Sequence, residues 1–189
     1  ALLVIRNEAL RLPAALRYLR SLGLRQVIVI DNESEDGSAA IAQAEGAWLI
    51  HAPGSYAGSG FGISWTNAVL DRWARGHWVL VVDADELRVF PGSDRVPLAA
   101  LCTHLDAIGS EALPTIMLDC FPAGPLGQCD YRPADDLLRA APLFEPPSLR
   151  QEAVEEFPHA LAYGGLRERL FFPDADPRRP LTWLRRRAW

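Results

Sequence analysis

The chain has 189 residues, 49% of them hydrophobic and 23% charged, which is enough for one domain with a substantial core. All 19 basic residues are arginines and the formal net charge is −5, so no broad basic surface is available for nucleic acid. No apolar run approaches the roughly 20 residues that cross a bilayer, and no signal peptide is evident.

The first 91 residues alternate between strand-like and helix-like segments. The strand-like runs are continuously apolar, and the segments between them carry apolar residues at helical spacing. Continuous apolar strands separated by amphipathic helices indicate parallel βαβ units with both faces of the sheet covered, an α/β fold. The predicted strands are 2–5, 26–31, 47–52 and 78–83, and the predicted helices between them are 9–23, 38–46 and 61–76.

The predicted helix at 61–76 and the loop before it are rich in aromatic residues. Trp65 and Trp73 lie at four-residue steps along one helical face, which predicts that both are in the core. Asn67 lies on a different face and is a candidate ligand residue. Tyr56 lies among glycines in the preceding loop, which fits either a mobile lid or a plain surface loop.

The second half of the chain is less regular. A helix is predicted at 96–109 and a strand at 113–121, after which the chain becomes rich in Pro, Gly and charged residues. We expect these later segments to be flexible loops over the active face rather than a separate domain. The basic and aromatic tail at 181–189 is predicted to be a partly exposed terminal segment, with a membrane or partner contact as the less favoured alternative.

The cysteines bear on the compartment. Cys102, Cys120 and Cys129 form no CxxC pair and leave an odd count, which favours a reducing setting over a disulfide framework. We therefore expect a cytoplasmic protein, with the basic tail allowing peripheral contact at the inner face of the membrane. The chain also opens without a methionine, as a trimmed chain or an excised domain would.

Polar and acidic side chains follow three of the predicted strands. A helix cap or an exposed loop acid explains any single one of them, and we favour that explanation for Asp36, which with Ser34 is a candidate cap of the next helix. It does not explain a DADE cluster directly after an apolar strand. Ligands of open parallel α/β sheets bind outside the carboxyl ends of the strands, so we expect one shared rim. The residues concerned are Arg6, Asn7, Glu8, Asp31, Asn32, Asp83, Asp85 and Glu86.

Clustered carboxylates without a nearby His or Cys suit a hard divalent cation. Mg²⁺ and Mn²⁺ take oxygen ligands and usually share their shell with the phosphates of a substrate. Such an ion would relieve the repulsion among Asp83, Asp85 and Glu86. The sequence contains no glycine-rich phosphate loop of the Walker or GxGxxG type. A pyrophosphate would therefore be held mainly by the metal, aided by an arginine or a helix N-terminus.

Four motifs occur in order along the chain: RNE at 6–8, DNESEDGS at 31–38, WTN at 65–67 and DADE at 83–86. In these motifs the chain resembles the nucleotide-diphospho-sugar transferases of glycosyltransferase family 2, well over residues 2–91 and more weakly beyond them. The resemblance implies a GT-A fold, which is a Rossmann-like three-layer α/β sandwich with a mostly parallel central sheet.

The resemblance also implies an activity and a domain plan. The activity is a metal-dependent, inverting transfer of a sugar from a nucleoside-diphosphate donor to an acceptor hydroxyl, in the synthesis of bacterial surface polysaccharide or glycoconjugates. A UDP-sugar is the favoured donor, and a carbohydrate or glycolipid is the acceptor. The whole chain, 1–189, would be one domain with a nucleotide-binding half at 1–91 and an acceptor-side half at 92–189, the latter incomplete if the chain is trimmed.

By position, the resemblance assigns roles to individual residues. Asp83 and Asp85 would hold Mn²⁺ or Mg²⁺ on the diphosphate, and Asp83 would also approach the ribose. Glu86 would support either the acceptor or the residues that hold the metal. The family's commonest form has a second Asp and a Gly where this chain has Asn32 and Glu33. The residues implied to bind the nucleotide are Arg6, Asn7, Glu8, Asp31, Asn67 and Asp83, with Asp31 bonded to the base.

The catalytic base would be a carboxylate that deprotonates the acceptor hydroxyl. Asp119 is the first candidate, because it ends the apolar run TIMLD and would face the same rim. Glu168 is the second candidate and Asp130 the third; a loop or salt-bridge role is the alternative for each of the three. Arg167 and Arg169 are candidates for clamping a phosphate, or for pairing with surface acids.

Other functions share parts of this pattern. A phosphatase of the haloacid dehalogenase type also has an apolar strand that runs into DxD, with the first Asp, here Asp83, as the nucleophile. That chemistry calls for the motif on the first strand and for a later Lys, which this chain lacks. A sugar-nucleotide pyrophosphorylase would need a Gly- and Lys-bearing loop near the start. A catalytically inactive nucleotide-sugar binding module is the non-enzymatic alternative.

Overall fold

A computed structural model of the protein describes residues 1–113, 115, 117–133, 135–145, 150–153, 160–163 and 170. The chain divides into two compact units. The first comprises Ala1–Leu113 with Asp130–Ala140, and the second comprises Pro114–Cys129 with Ala141–Trp189. These units do not coincide with the predicted halves at 1–91 and 92–189.

Three parallel strands form the sheet of the first unit: β1 is Leu2–Ile5, β2 is Ile28–Asp31 and β3 is Trp48–His51, in the order β1-β2-β3. In this register Ile5 of β1 lies beside Asp31 of β2. Each strand continues an apolar run whose alternate residues point to opposite faces of the sheet. The predicted mixed α/β class with parallel strands is confirmed.

The predicted fourth strand at 78–83 is wrong in its extent. Val81 forms a single parallel bridge with Leu2, in which the Leu2 N–H donates to the Leu80 carbonyl at 2.9 Å and the Val82 N–H donates to the Leu2 carbonyl at 3.2 Å. A buried parallel strand is covered on both faces. Val81 is 52% exposed, so one face of this edge segment is not covered. The segment still runs beside β1, on the side opposite to β2.

Helices follow each of the three strands as predicted: α1 is Leu12–Ser21, α2 is Ser38–Ala44 and α3 is Ile63–Val69. One core cluster joins Leu3 to buried residues of α1 and α2, and a second joins Leu2 to Val69 of α3. Neighbouring residues of a strand point to opposite faces, so helices cover both sides of the sheet. Gly23 follows α1 with φ +84°, the left-handed conformation expected of a glycine after a helix.

The aromatic face predicted along 61–76 is only partly correct. Trp65 is half-buried against the second core cluster, but Trp73 is 49% exposed, so its predicted core position is wrong. Trp73 lies within a π-helical turn at Leu70–Ala74, directly after α3. A π turn contains more residues than an α turn, so side chains within it depart from the directions that α-helical spacing predicts.

The remaining elements of the first unit are α4 at Leu98–Ala107, which confirms the predicted helix, and α5 at Leu137–Ala140. The Tyr18 hydroxyl of α1 donates to the Arg88 carbonyl at 2.7 Å. This bond ties α1 to the chain just beyond the DADE motif. Among the helices that the structure describes, none is long and apolar enough to span a membrane.

The second unit contains short antiparallel pairs. β4 (Cys120–Phe121) pairs with β5 (Leu143–Phe144), and β6 (Arg150–Ala153) pairs with β7 (Ala160–Tyr163). The predicted strand at 113–121 is therefore wrong in extent, since among its described residues only the last two pair. An apolar run makes a strand only where a neighbouring backbone supplies hydrogen bonds, and here that neighbour is two residues long.

Candidate functional site

A cleft of about 310 Å³ opens in the first unit beside the carboxyl end of β1. The chain runs from β1 to β2 to β3 and then returns to the opposite edge of β1 at Val81. The strand order thus reverses at β1, and the crevice at such a reversal is where open α/β sheets bind ligands. The cleft is lined by Val4, Ile5, Arg6, Glu8, Asn32, Tyr56, Asp83, Ala84 and Asp85.

The loop after β1 is held in place by the loop after β2. The backbone N–H groups of Asn7 and Glu8 donate to the hydroxyls of Ser34 and Ser38, at 2.9 and 2.7 Å respectively. In return, Oδ1 of Asn7 accepts from the Glu35 N–H at 2.8 Å. The RNE and DNESEDGS motifs therefore bind each other. Asn7, whose φ is +57°, thus holds the loop after β2 through its side chain. It is exposed and does not line the cleft.

Asp36 belongs to the same loop contact. Its carboxylate accepts from the Ala9 N–H at 2.9 Å and from the Ser38 N–H, at the first residue of α2, at 3.0 Å. Burial raises the pKa of Asp36, but hydrogen bonds from the Ser38 hydroxyl and from these backbone groups outweigh it and leave the pKa below its ordinary value. Asp36 is therefore a structural acid that does not line the cleft, but the expected cap of α2 by Ser34 or Asp36 is wrong, because the N-cap residue of α2 is Gly37.

Asp83 lies in a different electrostatic setting at the cleft. Burial raises the pKa of Asp83 above its ordinary value, and the negative charges of Glu86, Asp85 and Glu8 raise it further. Glu86 folds back on its own loop, where its Oε2 accepts from the Asp83 N–H at 3.2 Å. Carboxylates from the ends of β1 and of the segment at 80–82 thus share one region of negative potential.

Arg11 offsets part of this charge, and sequence reasoning missed it. Its guanidinium forms a two-bond pair with the carboxylate of Glu8, at 2.7 and 2.9 Å, and its Nη1 lies 3.5 Å from Oδ2 of Asp85. The hydrogen bond to Glu8 is the main cause that raises the pKa of Arg11. The available signal was the three-residue spacing between Glu8 and Arg11, which brings the two side chains together in a helical turn.

The donor set can be compared with what a divalent cation requires. Among the residues that the structure describes, no group of three or more His, Cys, Asp or Glu side chains is arranged to hold an ion. Asp83 and Asp85 nevertheless line one cleft, and the crowding of negative charge around Asp83 favours a cation there. Two carboxylates suit Mg²⁺ or Mn²⁺ when phosphate and water oxygens complete the shell. The residues present fit such an ion.

Two buried acceptors lie at the end of β2. Asp31 is 2% exposed and Asn32 is 1% exposed, and neither Oδ1 atom has a hydrogen-bond partner in the described part of the chain. The amide nitrogen of Asn32 donates to the carbonyls of Ala52 and Gly54, at 2.8 and 3.0 Å. An unsatisfied buried acceptor costs about 1–3 kcal/mol, so this end of the sheet favours a ligand that brings donors.

The second carboxylate oxygen of Asp31 has partners, and the aromatic residue Tyr56 lines the cleft. Oδ2 of Asp31 accepts from the Ser34 N–H at 3.3 Å and lies 3.7 Å from Nδ1 of His51. Asp31 is not among the residues that line the cleft, whereas Asn32 is. Tyr56 also lines it, with its ring centroid 5.8 Å from that of Phe61 in an edge-on contact.

None of the remaining candidate residues that the structure describes lines the cleft. Asn67 is exposed on α3 and does not line the cleft. Asp119 belongs to the second unit, one residue before β4. Asp130 is exposed and pairs with Arg132 at 2.9 Å. Glu168, Arg167 and Arg169 lie outside the described residues.

Comparisons with known proteins add no relative. No protein-family model, curated protein or solved structure matches the chain.

Proposed function

We propose that the protein is a metal-dependent glycosyltransferase with a GT-A fold, which transfers a sugar from a nucleoside diphosphate to an acceptor hydroxyl with inversion. One observation carries the proposal: the cleft at the strand reversal is lined by Asp83 and Asp85 together with Arg6 and Asn32. This combination offers carboxylates to a cation, a guanidinium to a phosphate and an amide to a base or ribose. The parallel sheet with helices on both faces is compatible with the GT-A fold.

The binding roles follow from the chemistry of each side chain. Asp83 and Asp85 would hold Mn²⁺ or Mg²⁺, because a dense group of carboxylates is stabilised when a cation joins it. Arg6 is exposed at the cleft and would bind a phosphate oxygen, as guanidinium groups do. The unpartnered acceptors of Asp31 and Asn32 would accept hydrogen bonds from the base or the ribose. When bound, the metal would supply positive charge to the departing diphosphate.

Sugar transfer also needs a base for the acceptor hydroxyl. Asp119, Glu168 and Asp130 stay candidates for that role, in this order. We propose a UDP-sugar as donor and a carbohydrate or glycolipid as acceptor, with the protein acting in the cytoplasm or at the inner face of the membrane. A basic tail at 181–189 would provide such a membrane contact.

Thermal unfolding in the presence of nucleoside diphosphates, with and without Mn²⁺, tests the proposal directly. A ligand at about 100 times its Kd adds about 2.7 kcal/mol to the free energy of unfolding. For a chain of this size that corresponds to an increase in Tm of roughly 5–10 °C. We expect UDP to raise Tm in this way only when Mn²⁺ is present. No stabilisation by any nucleoside diphosphate with Mn²⁺ would refute the proposal.

A substitution in the metal site gives the matching control. Asp85→Asn removes one negative charge from an exposed side chain and should leave the fold intact. We expect the Mn²⁺-dependent increase in Tm with UDP to disappear in this variant. Asp94→Asn, at an exposed acid that pairs with Arg95 and does not line the cleft, should behave as the unmodified protein. An equal response of both variants to Mn²⁺ and UDP would remove Asp85 from the metal site.

A further inference from the structure

We propose that Arg11 is a resident counter-ion of the cleft, and that its guanidinium lowers the affinity of the Asp83 and Asp85 pair for a free divalent cation. The inference rests on the proposed function, because it concerns the same metal site. Arg11 belongs to none of the four motifs. Because its positive guanidinium lies next to the carboxylates, it competes with a metal ion for them.

The guanidinium of Arg11 lies close to two carboxylates of the cleft, those of Glu8 and Asp85. Nε and Nη2 of Arg11 donate to the two oxygens of Glu8, at 2.7 and 2.9 Å, and Nη1 lies 3.5 Å from Oδ2 of Asp85. All three nitrogens therefore face carboxylates. Glu8 and Asp85 both line the cleft, whereas Arg11 does not. The positive charge thus sits against the acids that a metal would approach.

Arg11 is held in this position by the backbone. The N–H groups of Arg11 and Leu12 both donate to the Glu8 carbonyl, at 3.0 and 2.8 Å. This turn fixes the start of α1 directly after the loop that carries Glu8. The pair between Arg11 and Glu8 is therefore local, and Asp85 is the acid that comes from a distant part of the chain.

The side chains of Arg11 and Asp85 are 40% and 54% exposed, so solvent screens their attraction and the pair is weak. A divalent ion bound to Asp85 would have to offset that attraction and the repulsion of a nearby guanidinium, which water also screens. Together these effects lower the affinity for the free ion by about three- to tenfold.

Direct measurement of Mn²⁺ binding without nucleotide, by electron paramagnetic resonance or calorimetry, tests this inference. We expect Arg11→Gln to tighten the Kd for Mn²⁺ by about three- to tenfold. Arg11→Met, which keeps the aliphatic stem, should give the same change and serves if the Gln variant does not fold. Arg11→Lys retains the charge and should stay within about twofold of the unmodified protein.

A matched control separates a local effect from a change in net charge. Arg20→Gln removes the same charge from α1, at a residue that pairs with Glu45 and does not line the cleft. We expect no change in Mn²⁺ affinity for this variant. Unchanged or weaker Mn²⁺ binding by both neutral Arg11 variants would overturn the inference, and so would equal tightening by Arg20→Gln.

Asp85→Asn shows whether a negative result overturns only the role of Arg11 or also the proposed metal site. If Asp85→Asn abolishes Mn²⁺ binding while the Arg11 variants leave it unchanged, the metal site stands and only the role of Arg11 is wrong. If Asp85→Asn leaves Mn²⁺ binding unchanged, the metal site itself is wrong, and the inference about Arg11 is overturned with it.

Discussion

Asp36 and Asp83 both lie at the carboxyl end of the sheet, but their pKa values shift in opposite directions. Burial raises the pKa of Asp36, yet hydrogen bonds from the Ser38 hydroxyl and from backbone N–H groups lower it to below its ordinary value. For Asp83, burial and the charges of neighbouring acids all raise the pKa. The difference is in the neighbours, since one carboxylate faces donors and the other faces carboxylates.

This comparison separates a structural acid from a candidate ligand. The donors around Asp36 stabilise its charged form and use its lone pairs to fix two loops. Asp83 has excess negative charge around it, so a cation would lower the free energy of that region. The DNESEDGS and DADE motifs look alike as acidic strand ends in the sequence, but one holds the scaffold together and the other faces the cleft.

The largest expected effect comes from breaking the donor network at Ser38. This residue is fully buried, and its hydroxyl accepts from the Glu8 N–H at 2.7 Å and donates to Asp36. Ser38→Ala leaves a partly buried N–H without its partner and should lower the free energy of unfolding by about 2 kcal/mol. Chemical denaturation measures this loss, and a loss below about 0.5 kcal/mol would show that the two loops are held together in another way.

A smaller effect is expected for Asp36→Asn, with a defined pH dependence. Asp36 is mostly exposed, so we expect a loss of about 1 kcal/mol at pH 7. Its folded-state pKa lies below its ordinary value of 3.8, so its contribution is present above that value and is lost as the pH falls through the folded-state pKa. Denaturation curves of the variant and the unmodified protein should therefore converge in acid. A difference that stays constant from pH 7 to pH 2 would contradict this assignment.

The smallest effect is expected at Asp83, and it has the opposite sign. Asp83→Asn removes the repulsion with Glu86, Asp85 and Glu8, so the metal-free protein should gain roughly 0.5 kcal/mol at pH 7. The same variant should lose the stabilisation by Mn²⁺ and UDP. Denaturation with and without Mn²⁺ and UDP measures both changes in the free energy of unfolding. A clear loss of stability without metal would mean that the Asp83 carboxylate makes favourable contacts of its own.

Much of the first unit could be predicted from local patterns. The three parallel strands, the helices after them and the left-handed Gly23 all agree with the sequence. These features depend on hydrophobic periodicity and on glycine conformation, which act over a few residues. The failures have local causes as well: Trp73 lies within a π-helical turn, which the α-helical spacing of the sequence does not predict.

The candidate site was less accessible to such reasoning. Asp83 and Asp85 line one cleft with Arg6 and Glu8, as expected of a shared rim, whereas Asp31 does not line it. The motifs did not indicate that Asn7 is used to hold the loop after β2, or that Arg11 pairs with two acids of the cleft. The contacts of Asn7 with the loop after β2 and of Arg11 with Asp85 depend on which loops come together, and residue spacing contains no information on such long-range contacts.

The sequence by itself determined the parallel α/β character of the first unit and the acidic composition of its strand ends, because periodicity and side-chain chemistry are properties of the chain. Only the tertiary structure decided which acids have donors and which face one another. That outcome depends on the return of the chain from β3 to the free edge of β1, which brings Asp85 to Glu8 and Arg11. Electrostatic energies vary steeply with such distances, so a charge acquires its role only when the fold supplies its neighbours.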